Sequence, residues 1–136
     1  MNTAHKLAQL NREAILSASP ATLLTMLYDR LLVDLNRARQ AQQNGDWQRA
    51  SENLVHAQAI ITELDASLID GQWDGSQGLR SLYAFLAQLL IDANIKRDAQ
   101  QVAQAINLLE PLRTAWHEAA AAPAGSTERT IGEHLG

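Results

Sequence analysis

The sequence predicts an all-α protein, an antiparallel up-down-up-down four-helix bundle with a short N-terminal arm or helix. Three observations predict it. Apolar residues recur at spacings of three and four along four separate segments. Short links join those segments, which favours antiparallel neighbours. Leu and Ala supply the bulk of a 46% hydrophobic content that includes only one Phe, two Tyr and three Trp, and such a composition suits helices more than sheets. The length of 136 residues favours one domain with one core. The expected division is a mobile arm over residues 1–18, the bundle over 19–122 and a tail over 123–136.

The first helix is expected over about residues 20–43. Ser19 is a good N-cap, because its hydroxyl can accept from a free backbone N–H of the first turn. Pro20 follows at the first helical position, where its missing N–H costs nothing. Leu24, Tyr28, Leu31, Leu35 and Ala38 form the inner stripe. Asn44-Gly45 closes this helix, and Asp46 can cap the next.

The second helix, over about residues 47–70, has the cleanest periodicity: Trp47, Ala50, Leu54, Ala57, Ile61, Leu64 and Leu68. A Gly-rich link follows, in which Trp73 is expected to lid one end of the core. The third helix, over about 79–95, carries Leu79, Leu82, Leu86, Leu89 and Ala93 inside. Tyr83, Phe85, Leu90 and Ile91 widen its apolar surface so far that little of the circumference is polar. Burial among several neighbours accounts for such a helix, and so does a partner that covers the remainder.

The fourth helix is expected over about 99–122, with Asp98 and Gln101 forming a capping box. Val102, Ala105, Leu109, Leu112 and Trp116 keep the rhythm. Pro111 removes one backbone N–H and crowds the preceding turn, so a kink is expected with helix on both sides. On these seams Trp47, Leu54, Ile61, Leu64, Leu86, Leu109 and Leu112 are predicted core residues.

The sequence excludes several functions. A formal net charge of -4 offers no basic field for a nucleic-acid backbone. The absence of cysteine removes disulfides, thiolate nucleophiles and Cys-based zinc sites. No apolar run approaches the ~20 residues of a membrane span. A cytoplasmic protein without a signal peptide is therefore expected. His5, His56, His117 and His134 are dispersed, and no Glu-x-x-His or His-Glu-x-x-His motif occurs, so neither a metal nor another cofactor is expected. His56 lacks the lysine-glycine context of a phosphotransfer histidine and reads as a structural residue at a polar edge. No serine lies in a nucleophile elbow, and no loop has the composition of a phosphate cradle. No enzymatic activity is predicted.

The run Ser17-Ala18-Ser19-Pro20, then Leu23-Leu24, then Met26-Leu27-Tyr28-Asp29, resembles the start of the flagellar secretion chaperone family, the export chaperones of flagellin. Ala93-Asn94-Ile95-Lys96-Arg97-Asp98 resembles a second signature of that family, and Leu108-Leu109, Leu112-Arg113 and Trp116 match its last helix. The resemblance covers about residues 7–120. It implies a four-helix bundle that binds the disordered C-terminal segment of flagellin, prevents premature polymerisation and delivers the client to the flagellar export gate of the type III secretion machinery. An assembly factor would compete in some bacteria. Apolar grooves of this kind would also allow a weak homodimer. A segment that orders on binding needs an extended apolar track.

The sequence departs from the family at Leu7 and Leu10, where tyrosines are frequent, at Arg30 after Asp29, and at Pro111. The expected client-binding residues are Leu7, Leu10, Ile15 and Leu16 of the arm, Tyr83 and Leu90 of the third helix, and Asn94, Ile95 and Lys96 at its end. The competing reading is a small helical adaptor or regulator that binds a folded protein through a charged face.

Overall fold

The computed structural model describes residues 20–68 and 75–122, and these form four helices in chain order: α1 (Pro20–Gln43), α2 (Trp47–Ala66), α3 (Ser76–Lys96) and α4 (Ala99–Ala121). There is no strand among the described residues. The arm at 1–18, the Ser19 cap, the Trp73 lid and the tail at 123–136 lie outside the described residues.

The α1–α2 turn follows its sequence signals closely. Gly45 takes φ +75°, the left-handed conformation that a glycine adopts at no steric cost. The Gly45 N–H donates to Gln42 O at 3.1 Å and the Asp46 N–H to Ala41 O at 2.8 Å, which satisfies the last carbonyls of α1. The Asp46 carboxylate then accepts from Arg49 N at 3.2 Å and caps α2.

α2 ends at Ala66 rather than near residue 70. The Ser67 N–H still makes the helical bond to Glu63 O at 3.0 Å, but the Leu68 N–H bonds Asp65 O at 3.0 Å, three residues back, which tightens the last turn, and the Ser67 hydroxyl takes Leu64 O at 2.6 Å. α3 starts at Ser76, three residues ahead of the expected start, because Gly75 O accepts from Leu79 N at 3.1 Å and completes a first turn. α4 runs without interruption through Pro111.

Helix pairing follows a ring in which α1 packs on α2 and α4, α2 on α3, and α3 on α4. Side-chain pairs give the directions. Asp65 meets Arg80 at 3.6 Å while Ser51 meets Asn94 at 3.1 Å, so α2 and α3 are antiparallel. Gln42, at the end of α1, donates to Ala93 O at 3.1 Å near the end of α3, and Tyr28 meets Tyr83, so these two helices run parallel across the diagonal. Asp29, early in α1, meets Arg113 at 2.5 Å late in α4.

The core lies along the bundle axis. Tyr28, Leu31 and Leu35 meet Leu54, Ile61 and Leu64, with Leu86, Leu90, Val102 and Leu109 completing it. Leu112 packs against this core and is partly buried. Trp47 departs from its expected place, being 36% exposed at the very start of α2. Its level in the bundle coincides with the α3–α4 turn, so no helix continues over it. The guanidinium of Arg97 covers the indole face instead, 4.8 Å from the ring centroid.

A tyrosine pair joins the two diagonal helices. The hydroxyls of Tyr28 and Tyr83 lie 2.5 Å apart in the core, each giving the other the partner that a buried phenol needs. Burial raises both phenol pKa values above their ordinary range, so both are neutral and one donates to the other.

Candidate functional site: the α2–α3 face

The pairs Asp65–Arg80 and Ser51–Asn94 fix the register of α2 against α3. By that register Val55 lies level with Ile91, and Trp47 lies level with the turn at Arg97 and Asp98. Four large apolar side chains are exposed along this face: Val55 at 56%, Ile91, Ile95 at 76%, and Trp47. The far end opens into a cleft of about 640 Å³ lined by Ile61, Asp65, Leu68, Arg80, Tyr83 and Ala84, among others. From the Asp65–Arg80 level to the Trp47–Arg97 level the face spans roughly 27 Å at 1.5 Å per helical residue. Phe85 of α3 and Leu108 of α4 are exposed as well, and add a smaller apolar surface on the α3–α4 side.

The expected client residues divide between surface and core. Ile95 and Lys96 are exposed at the end of the face, and Asn94 sits half-buried beside them. Tyr83 and Leu90 are 2% and 0% exposed, which corrects the expectation that they face a client. Tyr83 crosses the bundle to Tyr28 and shows only its margin to the cleft, and Leu90 points into the same core. Leu7, Leu10, Ile15 and Leu16 lie outside the described residues. Val55, Ile91 and Trp47 extend the exposed surface beyond the residues expected from sequence. Ile91 already stood out on the unusually apolar α3.

The α3–α4 junction is tightly bonded. Asp98 caps α4 by accepting from Gln100 N at 2.9 Å and Gln101 N at 3.4 Å. The reciprocal half of the expected capping box is absent, because the Gln101 amide donates to Asp92 at 2.8 Å instead. Those bonds from Gln101 and then Lys96 lower the Asp92 carboxyl below its ordinary value. Asn94 donates to Ser51 Oγ across the helices rather than serving the end carbonyls. Ala93 O receives the N–H groups of Arg97 and Asp98 and the Gln42 amide. Arg97 itself has φ 54°, ψ 48°, a left-handed C-cap where glycine is the usual residue, at a cost of about 1–2 kcal/mol.

The opposite α1–α2 side is polar. Asp34 is fully buried and is bonded by Arg30 Nε at 3.1 Å and by His56 Nδ1. His56 is thus engaged through Nδ1 as an anchor for a buried carboxylate, in accord with its structural reading. Arg37, Arg49 and Glu52 line the cleft around this pair. On the α1–α4 side Asp29 accepts from Arg113 at 2.5 Å and from His117 Nε2 at 2.7 Å. Partial burial opposes the charge on Asp29, but the bonds from His117 and Arg113 outweigh it and lower the carboxyl below its ordinary value of 3.8.

A lowered carboxyl pKa stabilises the fold above the unfolded-state value, and that stabilisation is lost as pH falls through the folded-state value. Asp29→Asn should therefore reduce stability at pH 7 and leave it nearly unchanged near pH 2. The expected loss is about 1 kcal/mol or less, because a carboxyl 41% exposed is screened by solvent. Urea melts at the two pH values check this, and an equal loss at both would assign the effect to packing.

Among the described residues no three His, Cys, Asp or Glu side chains gather to hold a metal ion, and no helix is long and apolar enough to cross a membrane. An exposed apolar track on a well-bonded helical bundle defines a protein suited to binding another chain. The family model described as flagellar protein FliS matches residues 3–123. The chain is 33% identical to the flagellar secretion chaperone FliS of Bacillus subtilis, over 79% of this chain and 80% of that protein. It is 34% identical to the protein of the same name in Escherichia coli, over 85% of this chain and 88% of the relative. The corresponding Salmonella typhimurium protein is 33% identical over 82% and 84%. The chain belongs to the FliS family of flagellar secretion chaperones, which is a family of chaperones and not of enzymes.

Proposed function

We propose that this protein binds the C-terminal segment of flagellin along the α2–α3 face in the cytoplasm, holds it from polymerising and delivers it to the flagellar export gate. The observation that carries the reading is the track of Val55, Ile91, Ile95 and Trp47 running on from the cleft at Ile61 and Tyr83. Its length of roughly 27 Å suits about 18 residues of helix. An amphipathic helix laid on such a groove buries anchors at every third or fourth position. A client that is disordered when free meets its ordering cost from that burial.

The test is a titration of the full chain with a peptide of the host flagellin's C-terminal segment, followed by calorimetry and circular dichroism. Saturable binding with a gain of helix supports the reading. Binding that requires the folded part of flagellin and ignores the peptide would replace it with an adaptor for a folded protein.

On this reading Leu7, Leu10, Ile15 and Leu16 of the N-terminal arm act on the same apolar face. An arm that covers the face would keep apolar surface from water and from a second copy until the client displaces it. Deleting residues 2–14 is then expected to tighten peptide binding and increase self-association, as read by calorimetry and sedimentation. Weaker binding would make the arm a shared part of the client interface, and no change in either readout would remove it from the mechanism.

A further inference from the structure

We propose that the Trp47–Arg97 end of the α2–α3 face is a subsite for the terminal carboxylate of the client chain. The inference rests on the reading that a C-terminal segment lies along this face, and it assigns the direction in which that segment runs.

Arg97 is the centre of the subsite. Arg30, Arg49, Arg80, Lys96 and Arg113 each meet a carboxylate; Arg37, Arg39 and Arg97 form no ion pair among the described residues, and of these three only Arg97 stands on the α2–α3 face. Its guanidinium lies over the indole of Trp47, 4.8 Å from the ring centroid. A cation–π contact of this kind restrains the side chain at the mouth of the face without consuming its N–H donors, which bidentate capture of a carboxylate requires. The left-handed backbone at Arg97 turns the chain sharply between α3 and α4, and a glycine there would serve the turn without strain. The side chain, rather than the turn, is what an arginine supplies.

Beside the guanidinium lies a cavity of about 190 Å³ lined by Gln42, Trp47, Ala50, Ser51, Asn94 and Arg97. That volume suits one side chain and excludes a helix. Gln42 is 5% exposed, and its Oε1 has no hydrogen-bond partner. The Asn94 amide is committed through Nδ2 to Ser51, which leaves its carbonyl oxygen as an acceptor. The end of a polypeptide offers what these groups lack: an anionic carboxylate for Arg97, a main-chain N–H for a carbonyl acceptor, and one last side chain for the cavity. The subsite stands where α2 begins and α3 ends, so a chain that lies along the face with its C-terminus at this end brings all three groups to it. Exposed Ile95 and Trp47 flank the approach.

The experiment compares the flagellin C-terminal peptide as free acid and as C-terminal amide, titrated against the full-length protein and its Arg97→Gly variant. Amidation is expected to weaken binding to the wild type about tenfold or more. Arg97→Gly is expected to bind acid and amide equally while melting no lower than the wild type, since glycine accepts the left-handed turn. Equal affinity of acid and amide for the wild type would overturn the subsite and leave flagellin binding intact. A loss that follows replacement of the peptide's acidic side chains, and not amidation, would also overturn it, by assigning Arg97 to a side-chain carboxylate. Failure of every peptide to bind would overturn the proposed function and the subsite together.

Discussion

Leu64→Ala is expected to cost the bundle about 2–5 kcal/mol, one of the two largest effects predicted for a change to this chain. Leu64 is 0% exposed and lies on the most regular seam, one helical turn from Ile61. Truncation removes apolar atoms from the core cluster that also holds Tyr28 and Tyr83, and leaves a void that close-packed neighbours only partly close. A loss of this size is a large fraction of a domain's net stability, which is commonly ~5–15 kcal/mol. Urea unfolding followed at the helical band gives the number. Trp47→Ala is the contrasting variant. Its indole is 36% exposed and rests on Arg97, so a loss closer to 1 kcal/mol is expected. If Leu64→Ala melts like the wild type, the inner face of α2 has been assigned wrongly.

The two variants also mark where periodicity informs and where it stops. The spacing of Leu54, Ile61 and Leu64 identifies the inward stripe of α2, because a helix can bury only one face on a bundle axis. It does not tell how far along the axis other helices reach. Trp47 keeps the rhythm and still lies open, because the neighbouring chain turns at its level. The inverse occurs on α3. Tyr83 and Leu90 flank the predicted stripe and look available to a partner, yet both are sealed in the core. The distinguishing fact for Tyr83 is a hydroxyl 55 residues away, on Tyr28, which single-sequence patterns do not report.

Polar placement was legible where its cause was local. Asp46 and Asp98 cap the helices that follow them, and Gly45 takes the left-handed turn, all within a few residues of their partners. Asp34 was not legible. Arg30, four residues earlier, is half of its environment, but His56 arrives from another helix. Gln101 shows the same limit, since its position fits a capping box while its amide goes to Asp92 instead. For the candidate site, Ile95 was reached through the run Ala93–Asp98, which resembles the family's second signature, and not through helical periodicity. The track through Val55 and Ile91 needed the α2–α3 register, which only the pairing of Asp65 with Arg80 and Ser51 with Asn94 supplies.

That register makes the second large effect specific. Val55→Asp combined with Ile91→Asp should weaken binding of the flagellin C-terminal segment more than 100-fold while leaving the melting temperature close to that of the wild type. Both side chains are exposed in the free bundle, at 56% and 39%, so their replacement removes little that the fold depends on. In the complex each would be buried beneath the client. About half of each side chain is left for the client to bury, worth about 1 kcal/mol apiece, and each carboxylate trapped under an apolar helix adds a desolvation penalty of about 1–3 kcal/mol. A combined loss of about 3 kcal/mol already exceeds the ~1.4 kcal/mol that each tenfold in affinity requires, twice over. Val33→Asp is the matched control, because Val33 is 41% exposed on α1 and belongs to neither helix of the face. It adds the same type of charge without touching the track, and affinity should stay within about twofold of wild type. Calorimetric titration of the three proteins decides the matter. Equal weakening by the control would reduce the effect to net charge, and unchanged binding by the double variant would move the client off the α2–α3 face, with the exposed Phe85 and Leu108 on the α3–α4 side as the next surface to probe.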